Sequence, residues 1–179
     1  MRWDNIVFDF DGVIAVNTQA VAFRVLADAL AGYGVELSTD QMFERYLGWR
    51  GEQILDDVQK VHAVTVDKGI LEPVRETIHS RLLREVRKDP TLDALLQVAG
   101  GKFICSVNKR RFIENLLRTL KIDGYFPAQT IFGEQADCRF KPHPDIYLAC
   151  LAAHKLDAAR TCAVEDSVAG VHSARGAGL

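Results

Sequence analysis

The chain has 179 residues, of which 48% are hydrophobic and 26% charged, a composition typical of a globular protein with one good core. Its 22 basic and 24 acidic side chains give a formal net charge of −2, so charge supplies no reason to expect a nucleic-acid or membrane-surface partner. No apolar run is long enough to cross a bilayer, and the acidic pair Asp9 and Asp11 comes too early for a secretory signal. We therefore expect a cytoplasmic protein.

Four short apolar runs predict the strands of a parallel sheet, because buried parallel strands read as near-continuous apolar segments. These runs are residues 6–10, 102–107, 130–132 and 161–164. Helical patterns separate the later runs, one between Phe112 and Leu120 and another behind Pro144. Alternating strands and helices predict an α/β fold with a doubly wound parallel sheet.

The segment between the first two predicted strands has a different pattern, with no convincing strand. Ser38 and Gln41 have the spacing of a helix capping box. Farther along, four apolar residues recur at i+4 intervals and predict one buried helix face. They are Val74, Ile78, Leu82 and Val86. We therefore predict a helical domain at residues 17–88, inserted into an α/β core domain made of residues 1–16 and 89–179.

Polar side chains follow three of the predicted strands at their carboxyl ends, where open α/β sheets bind ligands. Together with a lysine that precedes the last strand, they are Asp9, Asp11, Ser106, Asn108, Lys141, Glu165 and Asp166. Taken singly, each has a simpler explanation as a helix cap, a turn or a solvated charge. Clustered carboxylates repel one another unless a cation joins them, and an all-oxygen cluster prefers a hard ion such as Mg²⁺. The combination therefore indicates a magnesium site.

Four stretches of the sequence carry a family resemblance. They are Asp9-Phe10-Asp11-Gly12-Val13-Ile14, Ile104-Cys105-Ser106-Val107-Asn108, Lys141-Pro142-His143-Pro144-Asp145-Ile146-Tyr147 and Val164-Glu165-Asp166-Ser167-Val168-Ala169-Gly170-Val171. In letters, order and spacing these stretches resemble the haloacid dehalogenase superfamily, most closely the β-phosphoglucomutase and phosphoglycolate phosphatase-like subgroup. The resemblance implies a Rossmann-like core with an inserted helical cap, and it implies a further edge strand that is missing from this chain, which stops at Leu179.

The resemblance also implies catalytic roles. Asp9 is the expected nucleophile, which attacks phosphorus to form an aspartyl-phosphate. Asp11 is the expected general acid, and then the base that activates water. Ser106 is expected to hold the phosphoryl oxygens, and Lys141 to offset their charge and that of Asp9.

A Mg²⁺ cofactor is part of the same implication. Its expected ligands are a carboxylate oxygen of Asp9, the backbone carbonyl of Asp11 and the side chain of Asp166, with Glu165 assisting through water. Phosphoryl transfer depends mainly on positioning and charge neutralisation, which a cation beside Asp9 supplies.

Substrate contacts are expected at Gly12 and Asn108 in the core domain and at Arg50 in the helical insertion. Arg50 matches the place of the family's substrate-specificity loop, where it would grip a second anionic group; a solvated arginine at a helix start is the alternative. The resemblance implies a small phosphorylated metabolite as partner, no nucleic acid or membrane, and a monomer or homodimer.

Departures from the subgroup favour a phosphatase. The mutases have a hinge histidine that serves substrate-gated proton transfer, and this chain has Val21 at that position. Relatives usually have an acidic residue followed by Ser or Thr shortly after the first motif, and this chain has Val16 and Asn17 there. We expect a Mg²⁺-dependent phosphatase acting on a sugar phosphate or a phosphorylated organic acid. The alternatives are a phosphosugar mutase and a truncated, non-catalytic remnant. A signalling receiver domain is disfavoured, because it has no helical cap and its paired acids and phosphorylated aspartate lie on different strands.

Overall fold

The structure is a computed structural model that describes residues 3–98, 100–135 and 137–179. The chain forms two compact units. One consists of Met1–Asn17 with Val86–Leu179, and the other of Thr18–Glu85. Among the helices of the described residues, none is both long and apolar enough to cross a membrane.

The first unit is built on a parallel sheet. Its strands in the described ranges are β1 (Asn5–Phe8), β2 (Gly101–Cys105), β3 (Ile131–Phe132) and β4 (Thr161–Val164). They lie in the order β3-β2-β1-β4, so the chain begins near the middle of the sheet and adds strands on both sides. This arrangement confirms the predicted α/β fold with a doubly wound parallel sheet.

The α-helices of this unit in the described ranges are α5 (Leu92–Leu96), α6 (Arg110–Thr119), α7 (Asp145–His154) and α8 (Val168–Gly176). On one face, Val7 and Phe103 share a core cluster with buried residues of α7 and α8. Because side chains alternate along a strand, Phe8 points to the opposite face, where its ring meets that of Phe126 edge-on with centroids 5.9 Å apart. The sheet is therefore covered on both faces, which explains why its strands read as apolar runs.

The first strand is shorter than the apolar run that predicted it. The run spans residues 6–10, but β1 ends at Phe8. The carbonyl of Phe10 accepts hydrogen bonds from the backbone N–H groups of Ile14 and Ala15, which turns the chain away from the sheet. Phe10 is nevertheless fully buried, so its apolar character reflects burial in a turn and not membership of the strand.

The second unit is helical, and residues 18–85 contain no strand. Its helices are α1 (Thr18–Ala31), α2 (Thr39–Tyr46), α3 (Gly51–His62) and α4 (Leu71–Glu85), with a 3-10 turn at Lys68–Ile70. The capping box that was predicted before α2 is present: Ser38 Oγ accepts from the N–H of Gln41, and Gln41 Oε1 accepts from the N–H of Ser38. On α4, Val74 and Leu82 are buried as the i+4 pattern predicted, but Ile78 is only partly buried. Val86, the fourth member of that pattern, is also partly buried and lies just beyond the end of the helix.

Candidate active site

The register of the sheet brings the first site residues together. Phe8 of β1 lies opposite Ile104 of β2 and Val164 of β4. Asp9 and Glu165 directly follow these paired residues of β1 and β4. Because the two strands run in parallel, Asp9 and Glu165 lie at the same level, at the carboxyl edge of the sheet. The backbone N–H of Asp9 donates to the carbonyl of Val164 at 2.9 Å, which holds Asp9 at that edge.

Lys141 reaches into this edge from the segment before α7, and its side chain is only 7% exposed. Its ammonium donates to Asp9 Oδ1 at 2.7 Å, to the carbonyl of Cys105 at 3.0 Å and to Glu165 Oε1. The hydroxyl of Tyr147 is a fourth, longer contact of the ammonium at 3.4 Å. Burial favours loss of the proton, but the carboxylates of Asp9 and Glu165 outweigh burial and raise the pKa of Lys141. Lys141 is therefore a buried, paired cation.

Asp9 is a buried carboxyl group with other carboxylates close to it. It is 8% exposed. Burial raises the pKa of Asp9 to about 7; Lys141 opposes this rise, while the charges of Glu165 and Asp11 add to it. Lys141 thus does not offset burial and the neighbouring carboxylates together, and a bound cation would favour the ionised form of Asp9.

Three carboxylates in this part of the site could hold such a cation. Single oxygens of Asp9, Glu165 and Asp166 lie within 4.8 Å of one another. Carboxylate oxygens suit a hard divalent ion, so the donor set fits the predicted metal. That the carbonyl of Asp11 completes the ligand set stays a prediction.

Gly12 makes room for Asp166. Gly12 has a φ of +80°, and a Cβ added to it would lie 1.8 Å from Asp166 Oδ2. Both the left-handed backbone and the close approach of a carboxylate require glycine at this position. The structure thus places Gly12 against the candidate metal ligand, and its predicted contact with substrate stays a prediction.

The predicted residues after β2 occupy the other half of the site. Ser106 is fully buried, its N–H donates to the carbonyl of Phe132 at 2.9 Å, and its Oγ accepts from the N–H of Asn108 at 3.2 Å. The amide of Asn108 donates to Asp11 Oδ2 at 2.5 Å. In this structure, therefore, Asn108 contacts the expected general acid.

Sequence reasoning assigned no role to two residues that contact Glu165. The hydroxyl of Tyr147, which is fully buried on α7, donates to Glu165 Oε1 at 2.5 Å. A Cβ at Gly170 would lie 1.9 Å from Glu165 Oε2, so the carboxylate packs directly on the start of α8. A hydroxyl on the otherwise apolar face of α7 was the available signal for Tyr147.

Arg50 belongs to the helical unit. It is exposed and occupies the N-cap position of α3, where its backbone N–H donates to Gln53 Oε1 at 3.0 Å. The alternative given above for Arg50, a solvated arginine at a helix start, agrees with this position. A contact between Arg50 and substrate stays a prediction.

A doubly wound sheet with acidic groups and a buried lysine at its carboxyl edge is the arrangement that the resemblance to the haloacid dehalogenase superfamily implies. Residues 6–179 match the family model of the haloacid dehalogenase-like hydrolases, so the chain belongs to this family and is an enzyme of it.

Named relatives and a solved structure are similar along nearly the whole chain. The chain is 26% identical over 180 residues to 6-phosphogluconate phosphatase of Escherichia coli K12, covering 99% of this chain and 80% of the relative. It is 27% identical over 183 residues to the phosphorylated carbohydrates phosphatase of Thermotoga maritima, covering 97% and 81%. A conserved haloacid dehalogenase-like protein of unknown function from Agrobacterium tumefaciens is 31% identical, with a TM-score of 0.87 over 99% of this chain and 80% of that one.

Proposed function

We propose that this chain is a Mg²⁺-dependent cytoplasmic phosphatase that hydrolyses a small phosphorylated metabolite, either a sugar phosphate or a phosphorylated organic acid, through an aspartyl-phosphate at Asp9. The observation that carries the proposal is the buried ammonium of Lys141, held 2.7 Å from Asp9 at an edge lined by carboxylates. The two named relatives, a 6-phosphogluconate phosphatase and a phosphorylated carbohydrates phosphatase, support this substrate class.

In the first half of the reaction, an oxygen of Asp9 attacks phosphorus and forms the acyl-phosphate bond. The bond between phosphorus and the leaving oxygen breaks, and Asp11 gives that oxygen its proton. Lys141 keeps Asp9 in place and offsets the charge that gathers on the phosphoryl oxygens. The buried hydroxyl of Ser106 lies beside the same edge and is a candidate donor to those oxygens.

In the second half, Asp11 takes a proton from a water molecule, which attacks the phosphorus. The acyl-phosphate bond breaks, inorganic phosphate leaves and the carboxylate of Asp9 is restored. The sum is one ester and one water converted to one alcohol and one phosphate. Asp11 returns to its starting protonation state, so it acts as acid and base within one turnover.

Asp9, Asp166 and Glu165 are the side chains that would hold Mg²⁺. When bound, the ion would offset the negative charge of the phosphoryl group and the nucleophile, which must approach each other. We further propose that the helical unit Thr18–Glu85 selects the substrate, with Arg50 as a candidate contact for a second anionic group.

The experiment is a phosphate-release assay on a panel of phosphorylated metabolites that includes 6-phosphogluconate and hexose 1- and 6-phosphates. We expect phosphate to appear in step with substrate loss, to stop with EDTA and to resume with added Mg²⁺. Product analysis for positional isomers belongs to the same assay. Formation of isomers without stoichiometric release of phosphate would show that the enzyme is a mutase and not a phosphatase. A lack of any turnover would overturn both assignments.

A further inference from the structure

The side chain of Asn108 meets Asp11 across the loops that follow β1 and β2. Its amide nitrogen Nδ2 lies 2.5 Å from Asp11 Oδ2, although 97 positions separate the two residues in the sequence. An amide nitrogen can only donate, so Asn108 is the donor and Oδ2 of Asp11 the acceptor, a role that this oxygen can fill whether the carboxyl group is ionised or carries a proton on Oδ1.

The backbone of Asn108 is held from two sides. Its N–H donates to Ser106 Oγ at 3.2 Å, and its carbonyl accepts from the N–H of Glu134 at 2.8 Å. Gly133 lets the segment after β3 approach Asn108, because a Cβ at Gly133 would lie 2.5 Å from the carbonyl oxygen of Asn108. These contacts use only the backbone of Asn108. Its side chain is thus aimed at Asp11 by a rigid support, and replacing that side chain leaves the support in place.

We propose that Asn108 is a positioning residue that orients Asp11 for proton transfer, an inference that rests on the proposed function. A protonated carboxyl group has one donor oxygen and one acceptor oxygen. Because the amide of Asn108 donates to Oδ2, Oδ2 is kept as the acceptor and Oδ1 is left to carry the proton. The hydrogen bond therefore selects the oxygen that acts and fixes the plane of the carboxyl group.

The proton balance follows from this arrangement. In the first step the proton on Oδ1 passes to the leaving oxygen as its bond to phosphorus breaks and the bond from Asp9 forms. In the second step Oδ1 takes one proton from water as the water oxygen bonds to phosphorus and the acyl-phosphate bond breaks. The amide of Asn108 exchanges no proton in either step.

The test compares leaving groups that need a proton with one that does not. Alkyl esters, for which 6-phosphogluconate and glucose 6-phosphate serve as probes, release a strongly basic alkoxide. p-Nitrophenyl phosphate releases a stable phenolate without protonation. We expect Asn108→Ala and Asn108→Asp to lower kcat/KM for the alkyl ester by about tenfold or more, part of the roughly 10²- to 10⁴-fold that a general acid supplies, with KM unchanged. For p-nitrophenyl phosphate the expected loss is below about threefold.

Asn115→Asp on α6 is the matched control. It makes the same amide-to-carboxylate change in the same unit, on a side chain that bonds Arg118 at 2.9 Å, and we expect both substrates to be unaffected. Thermal melting of each variant checks the fold. If the alanine variant does not fold, the nearly isosteric Asn108→Asp still allows the two substrates to be compared. Equal losses on both substrates, or a rise in KM with kcat unchanged, would place Asn108 on the substrate and overturn the inference. A wild-type protein that hydrolyses no alkyl ester would overturn the proposed function itself.

Discussion

The hydroxyl of Tyr147 and the ammonium of Lys141 both donate to the same carboxylate oxygen, Oε1 of Glu165. The two donors are also neighbours, with Lys141 Nζ 3.4 Å from the Tyr147 hydroxyl and 5.1 Å from the centroid of its ring. Burial and the charge of Glu165 raise the pKa of Tyr147, so the phenol keeps its proton and remains a donor. Tyr147 therefore helps to hold in place the carboxylate that pairs with the buried lysine.

Removing this hydroxyl tests how much it stabilises the site. We expect Tyr147→Phe to lower the free energy of unfolding by about 1.5–3 kcal/mol, the usual contribution of a hydrogen bond to a charged group, because the ring still fills its space. Urea denaturation measures the change. Tyr125→Phe is the matched control, since that residue is 39% exposed and its hydroxyl bonds Gln97 near the surface. Equal stability of Tyr147→Phe and wild type would contradict the assigned role.

Asp9→Asn separates catalysis from folding. The amide is nearly isosteric but is not an anionic nucleophile, so phosphate release should fall to background. The melting temperature should stay at or above that of wild type, because the change removes a buried charge that burial and neighbouring carboxylates disfavour, as the raised pKa of Asp9 indicates. Asp123→Asn, on an exposed turn, is the control and should keep full activity. Turnover by a folded Asp9→Asn protein would remove Asp9 from its role.

Gly12 and Gly34 have similar backbone conformations, so alanine substitutions at the two positions can be compared to test the contact between Gly12 and Asp166. Gly12 and Gly34 have φ angles of +80° and +76°, but a Cβ at Gly34 would meet nothing within 4 Å. Alanine should therefore cost each about 1–2 kcal/mol of backbone strain. Only Gly12→Ala should also raise the Mg²⁺ concentration for half-maximal activity, because its methyl group displaces Asp166. The same Mg²⁺ dependence in both variants would remove Asp166 from the metal site.

The pair of Arg139 and Asp145 predicts a dependence on acid pH. Hydrogen bonds from the Arg139 side chain and backbone lower the pKa of Asp145 from 3.8 to about 2. Because the folded pKa is below the unfolded one, the pair stabilises the fold fully above pH 3.8, and this stabilisation is lost as pH falls through about 2.

We therefore expect Asp145→Asn to be less stable than wild type near neutral pH, with a difference that shrinks towards pH 2. Urea midpoints across that range measure it, and Asp123→Asn is again the control. A difference independent of pH would show that Asp145 does not act through its charge.

Local patterns in the sequence were sufficient for much of the fold. Apolar runs predicted the strands, and the Ser38–Gln41 spacing predicted the capping box, because both depend on residues that are neighbours in the chain. Strand ends were less predictable. The apolar run at residues 6–10 continued past the end of β1, because Phe10 is buried in a turn. An apolar residue is expected at any buried position, so the run could not show where the strand ends.

The sequence by itself determined the order of the strands along the chain and the inventory of acids, serine and lysine at their ends. Only the tertiary structure decided which of these atoms meet. The bond between Asn108 and Asp11 exists because β1 and β2 pair in parallel, and the contact of Gly12 with Asp166 exists because β4 lies on the other side of β1. The raised pKa of Asp9 likewise results from burial and from neighbours that the fold brings to it. Hydrogen bonds and charge interactions act over a few ångströms, and separation along the chain does not specify those distances.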